Sequence, residues 1–198
     1  MFEKMRERWT KAIQPLVVRM GGLDPNVLTW TSLGLAISSF YLLSQAKNDS
    51  TGATWIIGGV FIILIAGILD ALDGALARHQ GTDGAYGDFL DHTIDRVVDV
   101  GLLVAIGMNS NFVDDYSTGL LAGLLTLFGS YMGTQAQSVG LGRIYGGFSR
   151  ADRMVLTILA LIMASWQAYT GSAGISVDSL PWIMEVLNLG NSELNGIT

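Results

Sequence analysis

Apolar sequence that runs directly into aspartates is the strongest constraint on what this chain can fold into. Residues 55–69 are wholly apolar and lead into Asp70 and Asp73, while residues 97–108, mostly apolar, follow Asp91 and Asp95. Acids three or four residues apart share one face of a helix. The link over 79–86 is polar and contains Gly81 and Gly84, which lets two helices run antiparallel and gather the four carboxylates. One Asp at mid-membrane depth costs roughly 2.5–3.5 kcal/mol on insertion scales. Four, simply added, cost on the order of 10 kcal/mol before their mutual repulsion is counted. A divalent cation removes both penalties. Oxygen-only donors on rigid elements suit Mg²⁺, Mn²⁺ or Ca²⁺, whereas Zn²⁺ favours His or Cys. The chain has no cysteine, and His79 and His92 are its histidines.

The remaining sequence predicts an all-α, polytopic membrane helix bundle. Half of the 198 residues are hydrophobic and 14% are charged, and the mean hydropathy is +0.44, values that fit a membrane protein. Spans are expected over 27–44, from 54 past Asp73, and over 87–108, 118–139 and 154–169. Residues 175–189 contain Asp178, Pro181 and Glu185, a poor composition for a sixth span. Gly119/Gly123 and Gly129/Gly133 predict close helix contacts, within or between subunits. Residues 2–20 read as an interfacial amphipathic helix, with Phe2, Met5, Trp9, Ile13 and Leu16 at three- or four-residue steps and Lys4, Arg6, Arg8 and Lys11 between them. No short apolar region there ends in a cleavage-like site, so a secretory signal is not expected. A single domain over 1–198 is expected, with its bundle over 27–190.

Charge distribution predicts orientation. With a cytoplasmic N-terminus, Arg78, the 79–86 link and the loop from Gly140 to Asp152, with Arg143, Arg150 and Arg153 at its end, share the cytoplasmic side. Lys47, Asp114, Asp115 and Asp178 lie opposite, a positive-inside bias. The carboxylates then face the cytoplasm. No basic helix or aromatic-interleaved basic patch points to nucleic acid.

The acidic stretch reads Asp70-x-x-Asp73-Gly74-x-x-Ala77-Arg78, eight residues, then Gly87-x-x-x-Asp91-x-x-x-Asp95. In each fixed position it resembles the CDP-alcohol phosphotransferases, integral membrane enzymes of phospholipid synthesis. Pro25, Asn26 and Thr29 are similar to the segment through which many members enter their first span; a helix cap reads equally well. The resemblance implies about six spans, a homodimer, and two divalent cations, Mg²⁺ or Mn²⁺, held by Asp70, Asp73 and Asp91 with Asp95. It implies Asp95 as general base toward the acceptor hydroxyl. It also implies a CDP-linked lipid donor, CDP-diacylglycerol or CDP-archaeol, from which a small polar alcohol displaces CMP. Gly74 and Gly87 then leave room for the CDP moiety, Ala77 keeps the next turn narrow, and Arg78 forks onto a phosphate.

The acceptor is less constrained. Residues 147–153, with Arg150 and Arg153, are similar to the region before the fifth helix of inositol-phosphate-using relatives, where arginines bind acceptor phosphate. With Arg143 they form a candidate phosphate site, or else topological positive charge. Such relatives usually carry a basic pair near the end of the fourth helix, where this chain reads Tyr-Met-Gly-Thr-Gln-Ala-Gln over 131–137. Inositol phosphate, glycerol phosphate and an uncharged alcohol therefore stay open, with Gln135 and Gln137 able to bond polyol hydroxyls or neighbouring helices.

Asp88 and Asp99 extend the acidic stripe, and an ion pair between Arg96 and Asp99 is expected at three-residue spacing. Asp83 reads as a turn residue, and His92 points to a different helix face from Asp91. A divalent-cation transporter or channel lined by intramembrane Asp is the competing class. It accounts for the acids but not for Gly74, Ala77, Arg78 and Gly87 in register. A carboxylate-bridged redox bundle would need Glu-x-x-His ligands that are missing.

Overall fold

The computed structural model describes residues 13–111, 113, 115–141 and 150–171, whose regular structure is entirely helical. A short helix over 13–19 (α1) precedes α2 (Pro25–Gln45), α3 (Ser50–Gln80), α4 (Ala85–Gly107), α5 (Tyr116–Ser138) and α6 (Arg150–Thr170). The boundaries follow from local chemistry. Asp24 caps α2, accepting from the Asn26 amide at 2.9 Å, with Pro25 in the first turn. Asp49 caps α3 through the Gly52 amide at 2.7 Å. Gly81, at φ 67°, ends α3 in the left-handed conformation, and the Thr82 amide returns to the Ala77 carbonyl. The turn into α4 is therefore residues 81–84, shorter than the polar link in the sequence, because helix extends from both sides.

Helix directions follow from three stacked apolar clusters. At one end Val17, Leu28, Leu72 and Leu76 pack together. In the middle Ala36 meets Ile63, Ala66, Leu90, Ile94 and Val98. At the other end Leu43 meets Ile56, Val60, Leu102 and Leu161. Residue numbers fall along α3 as they rise along α2 and α4, so α3 runs antiparallel to both, as expected. Both α2 and α6 pack against α3, and α2 also packs against α4. At the acidic end this leaves space between α3 and α4. Leu161 packs beside Ile56, and the Ser165 hydroxyl donates to the Ala53 carbonyl at 2.9 Å. Thus α6 also runs antiparallel to α3, and its first turn arrives at the acidic end.

Glycine sets the α4–α5 contact. A Cβ at Gly119 would lie 2.9 Å from both the Gly107 Cα and the Leu103 carbonyl oxygen, and one at Gly123 would lie 3.1 Å from Val100. The first glycine pair thus packs within the chain. Gly129 and Gly133 have nothing within 4 Å of a built Cβ.

Several expectations change. Two described helices, Pro25–Gln45 and Ser50–Gln80, are long and apolar enough to cross a membrane. The other three long helices are diluted by Asp and Arg on α4 and α6, and by Gly, Ser, Thr and Gln on α5. Arg150 and Arg153 belong to the first turn of α6 rather than to a loop. On α1 the inward residue is Val17, while Leu16 is 44% exposed. From Ile13 the four-residue step leads to Val17, so Ile13, Val17 and Met20 form the packed face. Residues 2–12 of the interfacial helix, Arg143, and residues 175–189 lie outside the described residues.

Candidate active site

A cavity of about 660 Å³ opens between the C-terminal end of α3 and the N-terminal end of α4. Asp70, Asp73, Gly74, Ala77 and Arg78 line it from α3, Gly87, Asp91 and Asp95 from α4, and Arg150 from α6. Asn26 and Thr29 of α2 close one side. Every residue of the acidic motif therefore reaches one cavity. Of the candidate acceptor arginines, Arg150 lines it.

The carboxylates form two overlapping sets. Asp70, Asp73 and Asp91 each offer an oxygen within 4.8 Å of the others. Asp91 and Asp95 form a second set with His92, by the same measure. His92 was expected on another face. It is exposed, and its Nδ1 lies 3.6 Å from Asp91 Oδ2. Asp91 is common to both sets, so the four acids do not make one ring. It is the natural bridging position.

Asp73 is 5% exposed and is held from outside the motif. Thr29 Oγ1 donates to its Oδ2 at 2.5 Å, and also lies 3.2 Å from the Pro25 carbonyl. The single hydroxyl proton goes to the charged acceptor, which gives the stronger bond. The Pro-Asn-x-x-Thr segment is thus both a helix start and a support for the site. Gln80 adds a second tie, as its side-chain amide donates to the carbonyls of Gly21 and Leu23 at 3.1 and 2.7 Å. The end of α3 is fixed to the turn before α2.

The glycines do different things. A Cβ on Gly87 would meet nothing within 4 Å, so this backbone is open to the cavity. A Cβ on Gly74 would meet Arg78 Nη1 at 3.4 Å. Gly74 makes room for the Arg78 guanidinium one turn on.

The least expected feature is cationic. Arg150 Nη2 lies 2.7 Å from Asp95 Oδ1. That approach falls off the hydrogen-bonding angle, so Asp95 Oδ1 is buried with a charge partner but without a hydrogen-bond donor. Arg150 Nε donates to Asp99 Oδ1 at 3.0 Å. Asp99 also receives Arg96 Nη1 at 3.2 Å, the pair expected from the sequence, and Arg153 Nη2 at 3.6 Å. Its role as a meeting point for three arginines was missed. The signal for it is an acid four residues beyond Asp95 on the same face.

The donor chemistry fits a hard divalent cation. Two carboxylate sets converge, the ligand atoms are oxygens apart from the exposed His92, and one buried Asp95 oxygen lacks a hydrogen-bond donor. The same lining carries two cations, Arg78 and Arg150, beside those acids.

Comparison with known proteins agrees with this chemistry. A match to the CDP-alcohol phosphatidyltransferase family spans residues 23–189. The chain is 35% identical over 147 residues to an archaetidylinositol phosphate synthase of Pyrococcus horikoshii, covering 70% of this chain and 69% of that protein. It is 32% identical over 145 residues to the archaetidylinositol phosphate synthase of Methanothermobacter thermautotrophicus, covering 73% and 67%. It is 26% identical over 168 residues to the phosphatidylinositol phosphate synthase of Cutibacterium acnes, covering 81% and 77%. The competing transporter class is set aside, and the chain belongs to the CDP-alcohol phosphatidyltransferase family of transferases.

Proposed function

We propose that this enzyme transfers the phospholipid group of a CDP-linked lipid to inositol phosphate, releasing CMP. The observation that carries this reading is Arg150 lining the same cavity as Asp70, Asp73 and Asp91. Arg78 is assigned to the donor diphosphate, so among the described residues Arg150 is the lining cation left for an acceptor phosphate. The names of the relatives above support inositol phosphate as acceptor, and they span both archaetidyl and phosphatidyl donors.

Asp70, Asp73 and Asp91 would hold one divalent cation, and Asp91 with Asp95 a second. When bound, such ions offset the charge of the diphosphate and make CMP a better leaving group. The protein's own groups supply the rest. Thr29 fixes the orientation of Asp73, and Arg78 presents a planar fork to a donor phosphate over the narrow Gly74–Ala77 surface. Arg150 and Arg153 receive the acceptor phosphate. Asp95 takes the proton of the acceptor hydroxyl as its oxygen bonds to the phosphorus that bears the lipid alcohol. The bond from that phosphorus to CMP breaks.

We place this site at the cytoplasmic edge of a single-domain, multi-pass membrane bundle. At roughly 1.5 Å per residue, the 31 residues of α3 exceed the roughly 30 Å hydrocarbon core, so its acidic end can emerge from lipid. Large apolar side chains also face outward, among them Trp30, Phe61, Leu124, Phe128 and Trp166.

The test is an acceptor panel on purified enzyme with Mg²⁺, using CDP-diacylglycerol and CDP-archaeol in parallel. The expected lipid product, identified by mass spectrometry, contains inositol phosphate. Glycerol phosphate or free inositol as the preferred acceptor would refute the acceptor assignment while leaving the reaction class intact.

A further inference from the structure

Asp99 lies outside the family's acidic pattern and outside the cavity lining, yet its side chain is 4% exposed and surrounded by arginines. It stands one helical turn beyond Asp95 on α4, at the height where the first turn of α6 arrives. One of its oxygens accepts from Arg150 Nε at 3.0 Å, and the other faces Arg96 Nη1 at 3.2 Å and Arg153 Nη2 at 3.6 Å. A guanidinium is planar and rigid. With Nε tied to Asp99, the orientation of Arg150 is fixed, and its Nη2 extends toward Asp95 and the cavity. Without that tie, Arg150 would be free to turn its fork fully onto Asp95, which its Nη2 already reaches at 2.7 Å.

We propose that Asp99 is a positioning residue that holds Arg150 aimed into the cavity as the anchor for the acceptor's phosphate. This inference rests on the proposed use of a phosphorylated acceptor. It deepens that reading by naming the group that sets the selectivity for phosphate over hydroxyl. Arg96 shares the charge of Asp99 from its own helix, which leaves part of the Arg150 guanidinium directed at Asp95 and the cavity.

The experiment is steady-state kinetics on the full-length enzyme, varying inositol phosphate and the CDP-lipid separately, for Asp99→Asn, Arg150→Ala, Arg153→Ala and the Asp99→Asn/Arg150→Ala double variant. Loss of the outer partner that orients a metal ligand typically costs about 10- to 100-fold, and the low end of that range is taken for an acid that orients a phosphate-binding arginine. Asp99→Asn is expected to raise the KM for inositol phosphate by about tenfold while the KM for CDP-lipid stays within about twofold and use of unphosphorylated inositol is unchanged. The double variant should be little worse than Arg150→Ala alone, because Asp99 acts through that arginine. Parallel rises in both KM values, an unchanged acceptor KM, or additive effects in the double variant would overturn the proposal. If Asp99→Asn does not fold, Asp99→Glu keeps the charge and displaces it by one methylene, and the same split between the two KM values decides. If Arg150→Ala and Arg153→Ala both leave the acceptor KM untouched, the phosphorylated-acceptor reading itself fails. If they raise it while Asp99→Asn does not, only the positioning role fails.

Discussion

Arg150 on α6 and Asp95 on α4, 55 residues apart in sequence, meet at 2.7 Å in the lining of the cavity. The contact joins the arginine assigned to the acceptor phosphate to the carboxylate assigned as base, so the acceptor's anchor and its reactive hydroxyl fall in one place. It also separates the two α6 arginines in what their loss should do.

Arg150→Ala removes a phosphate contact and the cation beside Asp95. Arg153→Ala removes a phosphate contact and an ion pair to Asp99, and leaves the cation beside Asp95 in place. Each charge-assisted contact is worth roughly 1.5–3 kcal/mol, so either change should raise the acceptor KM by about ten- to hundredfold. For Arg150→Ala kcat should fall as well, whereas for Arg153→Ala it should stay near wild type. Initial rates over a range of acceptor concentrations check both statements.

Asp95→Asn and Asp70→Asn should fail differently. Loss of the general base lowers turnover by roughly 10²–10⁴, with CDP-lipid still bound. Asp70→Asn should weaken CDP-lipid binding, because that carboxylate belongs to the set shared with Asp73 and Asp91. Equilibrium binding of labelled CDP-lipid, run beside a turnover assay, separates them. Near-normal turnover in Asp95→Asn would place the base elsewhere.

Thr29 should matter through Asp73. Thr29→Val keeps the shape but removes the hydroxyl that donates to Asp73 at 2.5 Å. The Mg²⁺ concentration needed for half-maximal activity should rise by about 10- to 100-fold, the usual effect of losing a ligand's outer partner. Thr29→Ser should behave nearly as wild type. A metal titration of activity reads this directly, and equal behaviour of Val and Ser would remove the hydroxyl from the account.

The two glycine pairs of α5 should separate in the same way. Gly119→Val drives a side chain into the Gly107 backbone, and such overpacking costs roughly 1–3 kcal/mol. Gly133→Ala, which meets open space, should be neutral or stabilising by up to about 1 kcal/mol, the helix-propensity gain of Ala over Gly. Thermal unfolding in detergent measures both. A clear loss for Gly133→Ala would show that a second chain packs there.

The acidic motif was legible because helix periodicity alone puts Asp70 with Asp73 and Asp91 with Asp95, and a tight turn reverses the chain between them. The helix order and the antiparallel setting of α3 and α4 followed from the same hydropathy pattern. The sequence did not disclose that α2 packs against both of them, leaving the cavity between, because sequential order says little about which helix fills a gap. It left Thr29 ambiguous, since a Thr near a helix start reads equally as a cap, and only its proximity to Asp73 assigns the hydroxyl. Asp99 was read locally, as a partner for Arg96. The start of α6 at Arg150, rather than at Met154, brings two further arginines to Asp99, and that extra helical turn has no hydropathy signal. On α1, Leu16 and Val17 fit an apolar repeat from Ile13 equally well, and packing against Leu28 and Leu76 selects Val17.

Cation-dependent transfer from a CDP-linked lipid to a phosphorylated acceptor is read by following CMP release from purified, EDTA-treated enzyme supplied with CDP-lipid and inositol phosphate. No CMP is expected in metal-free buffer. Adding Mg²⁺ or Mn²⁺ should restore it, with CMP appearing in equal amount to the inositol-phosphate-containing lipid. Full turnover in thoroughly metal-free buffer, or CMP formed without that lipid, would contradict it.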